Sequence, residues 1–202
     1  MLKATAQGAD IRNRILDAAF QTVRTEGVAR ASARTIARHG GFNQALIFYH
    51  FGSVSDLLLA ALDRSASFRM ARYQEVLAGT PAAKFAALAR RLYVEDVEAG
   101  HSTVLAELFA ASSGNLALRA EMLKRLRPWL DLAENLIKRF LAGSPFENLV
   151  DARAAAGAVL AMYVGIDLLN HLDGDRSRAT DLFDSGERLA GAFAPILRGM
   201  KT

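Results

Sequence analysis

The chain has 202 residues, 51% of them hydrophobic, and a formal charge of +4, which allows one large or two small domains with a core. With no cysteine it holds no disulfide, thiolate metal site or cysteine nucleophile, a composition that suits a reducing cytosol. Residues 1–52 carry seven Lys and Arg against three Asp and Glu, and residues 53–202 carry 18 of each, so all net positive charge sits in the first quarter, the footprint of a nucleic-acid module.

Residues 1–9 read as a small, polar, frayed start in which Lys3 is the one basic group. Asp10 then caps a predicted helix to about Glu26, with Ile11, Ile15, Ala18, Ala19, Thr22 and Val23 on one face and Gly27 as its stop. Arg12 and Arg14 near its start oppose the helix dipole, which a nearby anion would relieve.

Residues 32–57 punctuate most clearly. Ser32 is a natural N-cap, and Ala33, Ile36 and Ala37 give the next helix one apolar edge. Gly40 and Gly41 stop it, and Asn43 offers a second cap within a few residues. Ile47 and Phe51 lie four apart and share an inward face. Helix, glycine turn, helix is the helix-turn-helix unit. Gln44, Ala45, Leu46, Phe48, Tyr49 and His50 are left for the outward face or its margin. Gln pairs with an adenine edge and apolar groups meet a thymine methyl, while Tyr and His reach phosphates.

These residues resemble the TetR (tetracycline-repressor-like) family of bacterial transcription regulators. The likeness rests on Ser32, Arg34, Ile36-Ala37, Gly41-Phe42-Asn43, Ile47-Phe48-Tyr49-His50-Phe51, Ser53 and Leu57. Phe42 replaces the family's usual small aliphatic, Phe48 its Tyr and Val54 its Lys, so a hydroxyl and a phosphate contact are missing from the pattern. The resemblance implies an all-α protein: an N-terminal three-helix helix-turn-helix domain over 1–55, then a helical effector-binding and dimerisation domain over 56–202. It also implies a homodimer on a double-stranded DNA operator. The candidate DNA-contacting set is Arg34, Thr35, Asn43, Gln44, Ala45, Leu46, Phe48, Tyr49 and His50, with Arg34 resting on the resemblance.

Ser53 and Asp56 have the spacing of a capping-box variant and open a helix to about Leu77. After the break at Gly79-Thr80-Pro81, helices are predicted over 82–98, 103–111, 118–141, 149–172 and 179–197, with a kink at Pro128. The helix over 149–172 is apolar nearly all round, which predicts burial on both sides. The last helix carries an a/d-like stripe. Val159, Ile166, Leu182, Gly186, Leu189, Ala190, Phe193 and Leu197 are the candidate dimer surface of a four-helix bundle, with an ordinary monomer core as the alternative. The longest apolar run, residues 154–166, is 13 residues, too short to span a bilayer. The N-terminus lacks an apolar h-region, so neither a membrane partner nor a signal peptide is expected.

No catalytic constellation emerges. His39, His50, His101 and His171 are scattered without metal-ligand spacing, and no phosphate loop or nucleophile elbow is present. Glu95, Asp96 and Glu98 read as solvated carboxylates. No metal, cofactor or enzymatic activity is therefore expected. Tyr93, Glu107, Phe109, Met122, Trp129, Tyr163, Asp167 and Asn170 combine apolar bodies with polar handles and form a candidate set for a small, largely apolar effector, each with core packing as the alternative. The expected function is a cytoplasmic, ligand-responsive regulator, a repressor released from its operator by that effector. The alternative is a helical small-molecule binding protein without regulatory DNA binding, which a gel shift on duplex DNA would reject.

Overall fold

The computed structural model describes residues 2–80, 84–175 and 177–199; the side chains of residues 2–7, 85, 86, 171, 173, 189, 190 and 192–199 lie outside that description. Among the described residues every regular element is helical: α1 Leu2–Glu26, a 3-10 turn Val28–Arg30, α2 Ala33–Gly40, α3 Ala45–Phe51, α4 Val54–Ala78, α5 Phe85–Ala99, α6 His101–Ser112, α7 Leu116–Leu141, α8 Ala152–Asp173 and α9 Ser177–Gly199. Two compact units form, Met1–Arg69 with Gly100–Met122, and Met70–Ala99 with Leu123–Thr202.

The first unit buries Ile15, Leu16, Ala19 and Val23 of α1 with Ile36 of α2, Ile47 of α3, Leu57, Leu58 and Leu62 of α4, Val104 and Leu108 of α6, and Met122. Burial of this apolar surface, at about 25 cal/mol per Å2, holds α2 and α3 in place, which are too short to persist alone. Helix α1 starts at Leu2 and not at Asp10, which lies inside it. Residues 2–7 are Leu, Lys, Ala, Thr, Ala and Gln, and most of these are good helix formers. Residues 100–122 group with residues 1–69 because Val104, Leu108 and Met122 share their core. Glu107 Oε2 also accepts the Val28 backbone N–H at 2.8 Å.

The second unit has a smaller apolar cluster, Leu77, Leu88 and Leu92 with Tyr73, Val76 and Leu136 against them. Arg139 of α7 donates to the carbonyls of Leu77 (2.6 Å) and Thr80 (3.0 Å) and so closes the end of α4. Helix α7 continues through Pro128. Helix α8 begins at Ala152, later than the predicted 149, because the Asp151 side chain accepts from the N–H groups of Arg153 and Ala154. Arg153 then reaches Asp131 (2.6 Å) and Glu134 (3.0 Å) on α7. The hydrogen bonds from Lys138 and Arg153 hold the Glu134 carboxyl below the usual range.

Within the single chain α8 is covered on one side and leaves the other exposed. Ala158, Met162, Leu169 and Leu172 are exposed and Gly165 is half-buried, and their spacing of four, three, four and three is an a/d seam. Val159 lies exposed at its margin and Ile166 is half-buried. On α9, Leu182 is half-buried and Gly186 exposed. Leu189, Ala190, Phe193 and Leu197 lie outside the described side chains. Residues Ala152–Asn170 are long and apolar enough to cross a membrane by length and composition, a longer stretch than the 13-residue run in the sequence. Its Asp167 is buried and accepts a hydrogen bond from Tyr93.

Candidate nucleic-acid interface

The helix-turn-helix is assembled by local capping. Ser32 Oγ accepts the Thr35 N–H at 3.2 Å and lies 2.9 Å from its hydroxyl, so Thr35 is engaged in the cap. Gly41 takes φ 66°, the left-handed conformation that a glycine adopts without strain. Gly40 is needed for a different reason: a Cβ there would stand 2.1 Å from the Phe42 ring and 2.8 Å from Ala18 Cβ. Arg14 of α1 donates to the Gly40 carbonyl at 3.1 Å and ties the turn to the first helix. Asn43 Oδ1 accepts the Ala45 N–H at 2.9 Å, so its side chain serves the start of α3. Ser53 Oγ accepts the Asp56 N–H at 3.0 Å, and Asp56 reaches back to that hydroxyl at 2.6 Å. Helices α3 and α4 therefore part at 66° around Gly52.

Helix α3 divides its side chains sharply. Ile47 is fully buried, and Leu46 and Phe51 pack partly buried against the same core. Gln44 and Ala45 are exposed, Phe48 is 51% exposed and Tyr49 82%. His50 is half-buried, edge-on to Tyr49 at 4.9 Å and tilted against Phe51 at 6.4 Å. Arg34 on α2 is exposed. The guanidinium of Arg12 lies over the Phe51 ring at 4.9 Å, a cation–π contact that fixes a positive charge beside α3. The sequence reading placed Arg12 near the helix start without this partner. Glu26 accepts from His39 at 2.5 Å and from Arg38 at 3.3 Å. The His39 bond, then the charges of Arg38 and Arg30, hold its carboxyl below the ordinary range. What this contributes to stability is complete above the ordinary carboxylate range and is lost as pH falls through the lowered value.

The candidate effector residues separate into two places. In the second unit Tyr93 donates to Asp167 Oδ1 at 3.0 Å and accepts from Asn170 at 2.9 Å. Tyr163 meets Tyr93 edge-on at 5.5 Å, and Trp129 meets Tyr73 at 5.6 Å. Tyr73 (2.5 Å) and Tyr163 (3.4 Å) both donate to Asp96 Oδ2. Asp96 is 4% exposed, which corrects its reading as a solvated carboxylate. Glu95, in contrast, faces outward and binds Arg72 at 2.6 Å. The sequence signal for Asp96 is its spacing, since Leu88, Leu92 and residue 96 fall on one helical stripe. Phe183, which the sequence places in the apolar stripe of the last helix and not among the candidate effector residues, closes on Tyr93 at 5.7 Å. Glu107, Phe109 and Met122 are not brought to this cluster: Glu107 holds Val28, Met122 is in the core of the first unit and Phe109 packs against it. Among the described residues no group of His, Cys, Asp and Glu has the geometry of a metal site.

Residues 15–61 match the family described as bacterial regulatory proteins, tetR family. Two curated HTH-type transcriptional regulators, Rv2912c of Mycobacterium tuberculosis and Mb2936c of Mycobacterium bovis, are each 30% identical over 100 residues, 49% of this chain and 51% of theirs. The chain thus spans about half the length of the curated relatives it matches. Among solved structures, the fatty acid degradation regulator FadR of Bacillus halodurans has a TM-score of 0.75 at 17% identity, over 89% of this chain and 93% of that one. FadR of Bacillus subtilis in complex with stearoyl-CoA scores 0.74 at 18% identity, over 88% and 96%. A transcriptional regulator of Saccharomonospora viridis in complex with choline scores 0.71 at 22% identity, over 92% and 95%. At these identities the likeness establishes the fold.

Proposed function

We propose that the chain is a member of the tetR family of bacterial regulatory proteins, whose pattern residues 15–61 match, and that it is a cytoplasmic repressor that binds a palindromic operator as a homodimer and leaves it when a small, largely apolar effector binds. The observation that carries this reading is the outward face of α3, capped and braced in the segment that holds all of the net positive charge. Gln44 and Ala45 address base edges, and Arg34, Tyr49 and His50 address the backbone. Thr35, Asn43 and Leu46 are spent on the cap, the helix start and the core edge, so they set the geometry of the reader.

The α8 seam, with α9 beside it, supports a second copy as the dimer partner. The Tyr93, Tyr163, Asp167 and Asn170 cluster supports a pocket in the second unit with a few oriented polar groups. Two structural neighbours carry small molecules, stearoyl-CoA in one and choline in the other, which agrees with a ligand-responsive second unit. The effector shifts the equilibrium only through its different affinity for the operator-binding and released states.

The test is selection of bound duplexes from a random pool by the full chain. An inverted repeat should emerge, with half-site centres one helical turn, about 34–36 Å, apart. A folded protein that enriches no sequence would overturn the reading. On the selected duplex, about three phosphate contacts per chain predict a slope near −5 for log affinity against log salt. Affinity that ignores salt would remove the basic segment from the interface.

Substitutions should separate the two kinds of contact. Gln44→Ala should cost roughly 1–3 kcal/mol on the selected duplex and relax the preference at one base pair. Tyr49→Phe and His50→Ala should weaken selected and random duplexes alike. Because His50 also packs on Phe51, melting is measured beside binding.

A further inference from the structure

We propose that Phe48 is a specificity-determining residue that reads the C5-methyl group of a thymine in the major groove; this rests on the DNA-reading role of α3. The argument is one of elimination along a short helix. Asn43 is occupied by the Ala45 N–H. Leu46 and Ile47 are turned to the core, and His50 is half-buried between Tyr49 and Phe51. The surface left to a groove is Gln44, Ala45, Phe48 and Tyr49.

Of these, Phe48 has a large ring half in solvent at 51% exposure and no polar atom on its side chain. It can form no conventional hydrogen bond to a phosphate or a base edge. Solvation of that ring costs free energy in the unbound protein, and the groove returns it only by apolar contact. The major groove offers one apolar group of that kind, the thymine methyl. Gln44 and Phe48 are four residues apart, hence stacked on one face. The helix advances about 5.4 Å per turn and the duplex about 3.4 Å per base pair. The methyl that Phe48 reads therefore belongs to a base pair one or two steps from the one Gln44 addresses. Ala45, small and exposed between them, lets the helix approach closely.

The experiment uses the full chain and the duplex selected from the random pool. Each thymine of the half-site is replaced in turn by uracil, which removes the methyl and leaves every hydrogen-bonding atom in place. In parallel each adenine is replaced by 7-deazaadenine, which removes the N7 acceptor that Gln44 would use. Uracil at one position per half-site should weaken wild-type binding about three- to tenfold. The same replacement should change Phe48→Ala binding by less than about twofold, whereas Phe48→Leu, which keeps an apolar side chain, should retain part of the discrimination. Melting curves establish that the variants fold, as expected for an exposed position. If a 7-deazaadenine position weakens binding and no uracil position does, α3 reads bases and the Phe48 proposal is overturned. If neither replacement matters, or no duplex is selected, the reading of α3 itself falls and the proposal with it. Equal uracil sensitivity in wild type and Phe48→Ala would assign the methyl contact to another side chain.

Discussion

A Leu169→Glu variant is expected to run as a monomer and to bind the selected operator about a hundredfold more weakly than wild type, because the second half-site contact stops being intramolecular. Leu169 is 47% exposed in the single chain and lies within the seam that Ala158, Met162, Gly165 and Leu172 form along α8. A carboxylate placed in a two-fold interface is repeated by symmetry, so two unpaired charges would be desolvated together, at several kcal/mol. The fold itself should tolerate the change, since the side chain is half in solvent before assembly. Light scattering gives the mass, anisotropy the affinity, and circular dichroism the helix content. Wild-type protein that is monomeric at micromolar concentration would remove the seam's role.

Replacing Ile47 by Ala should cost about 2–5 kcal/mol of stability and most of the DNA binding. Helix α3 is only seven residues long and cannot persist without packing. Ile47 is its one fully buried side chain and joins Ile15 and Leu16 of α1, Ile36 of α2 and Leu57 of α4 in a single cluster. Truncation leaves a cavity where four helices meet. Denaturant melts on wild type and variant measure the difference. A loss below about 1 kcal/mol would show that the site collapses without consequence, and that Leu46 and Phe51 alone hold the reader in place.

The helix-turn-helix was legible in the sequence because its signals are local. Ser32, Gly40-Gly41, Asn43 and Ser53 each make the cap or turn that their chemistry dictates. Elsewhere a local rule met a competing one. Asp10 is a good cap, but Leu2, Ala4 and Ala6 are better helix formers than the rule for a frayed terminus assumes, and the helix extends through them. Leu149 and Val150 continue the apolar pattern of α8, yet Asp151 turns its carboxylate onto the first N–H groups and sets the boundary. Asp96 looked solvated by residue type, while its position on the stripe of Leu88 and Leu92 placed it beneath the hydroxyls of Tyr73 and Tyr163. The candidate effector residues share no sequence spacing, and only packing divides them between the two units. Periodicity established that α8 is apolar, and the fold of one chain established which side of it remains uncovered.

The central claim is that this chain reads duplex DNA as a symmetric pair. Sedimentation velocity on a labelled selected duplex, with unlabelled random duplex in excess, tests it most directly. Two protein chains per selected duplex, with a scrambled duplex of the same length left unbound, is the predicted result. One chain per duplex, or equal binding to the scrambled sequence, would contradict it.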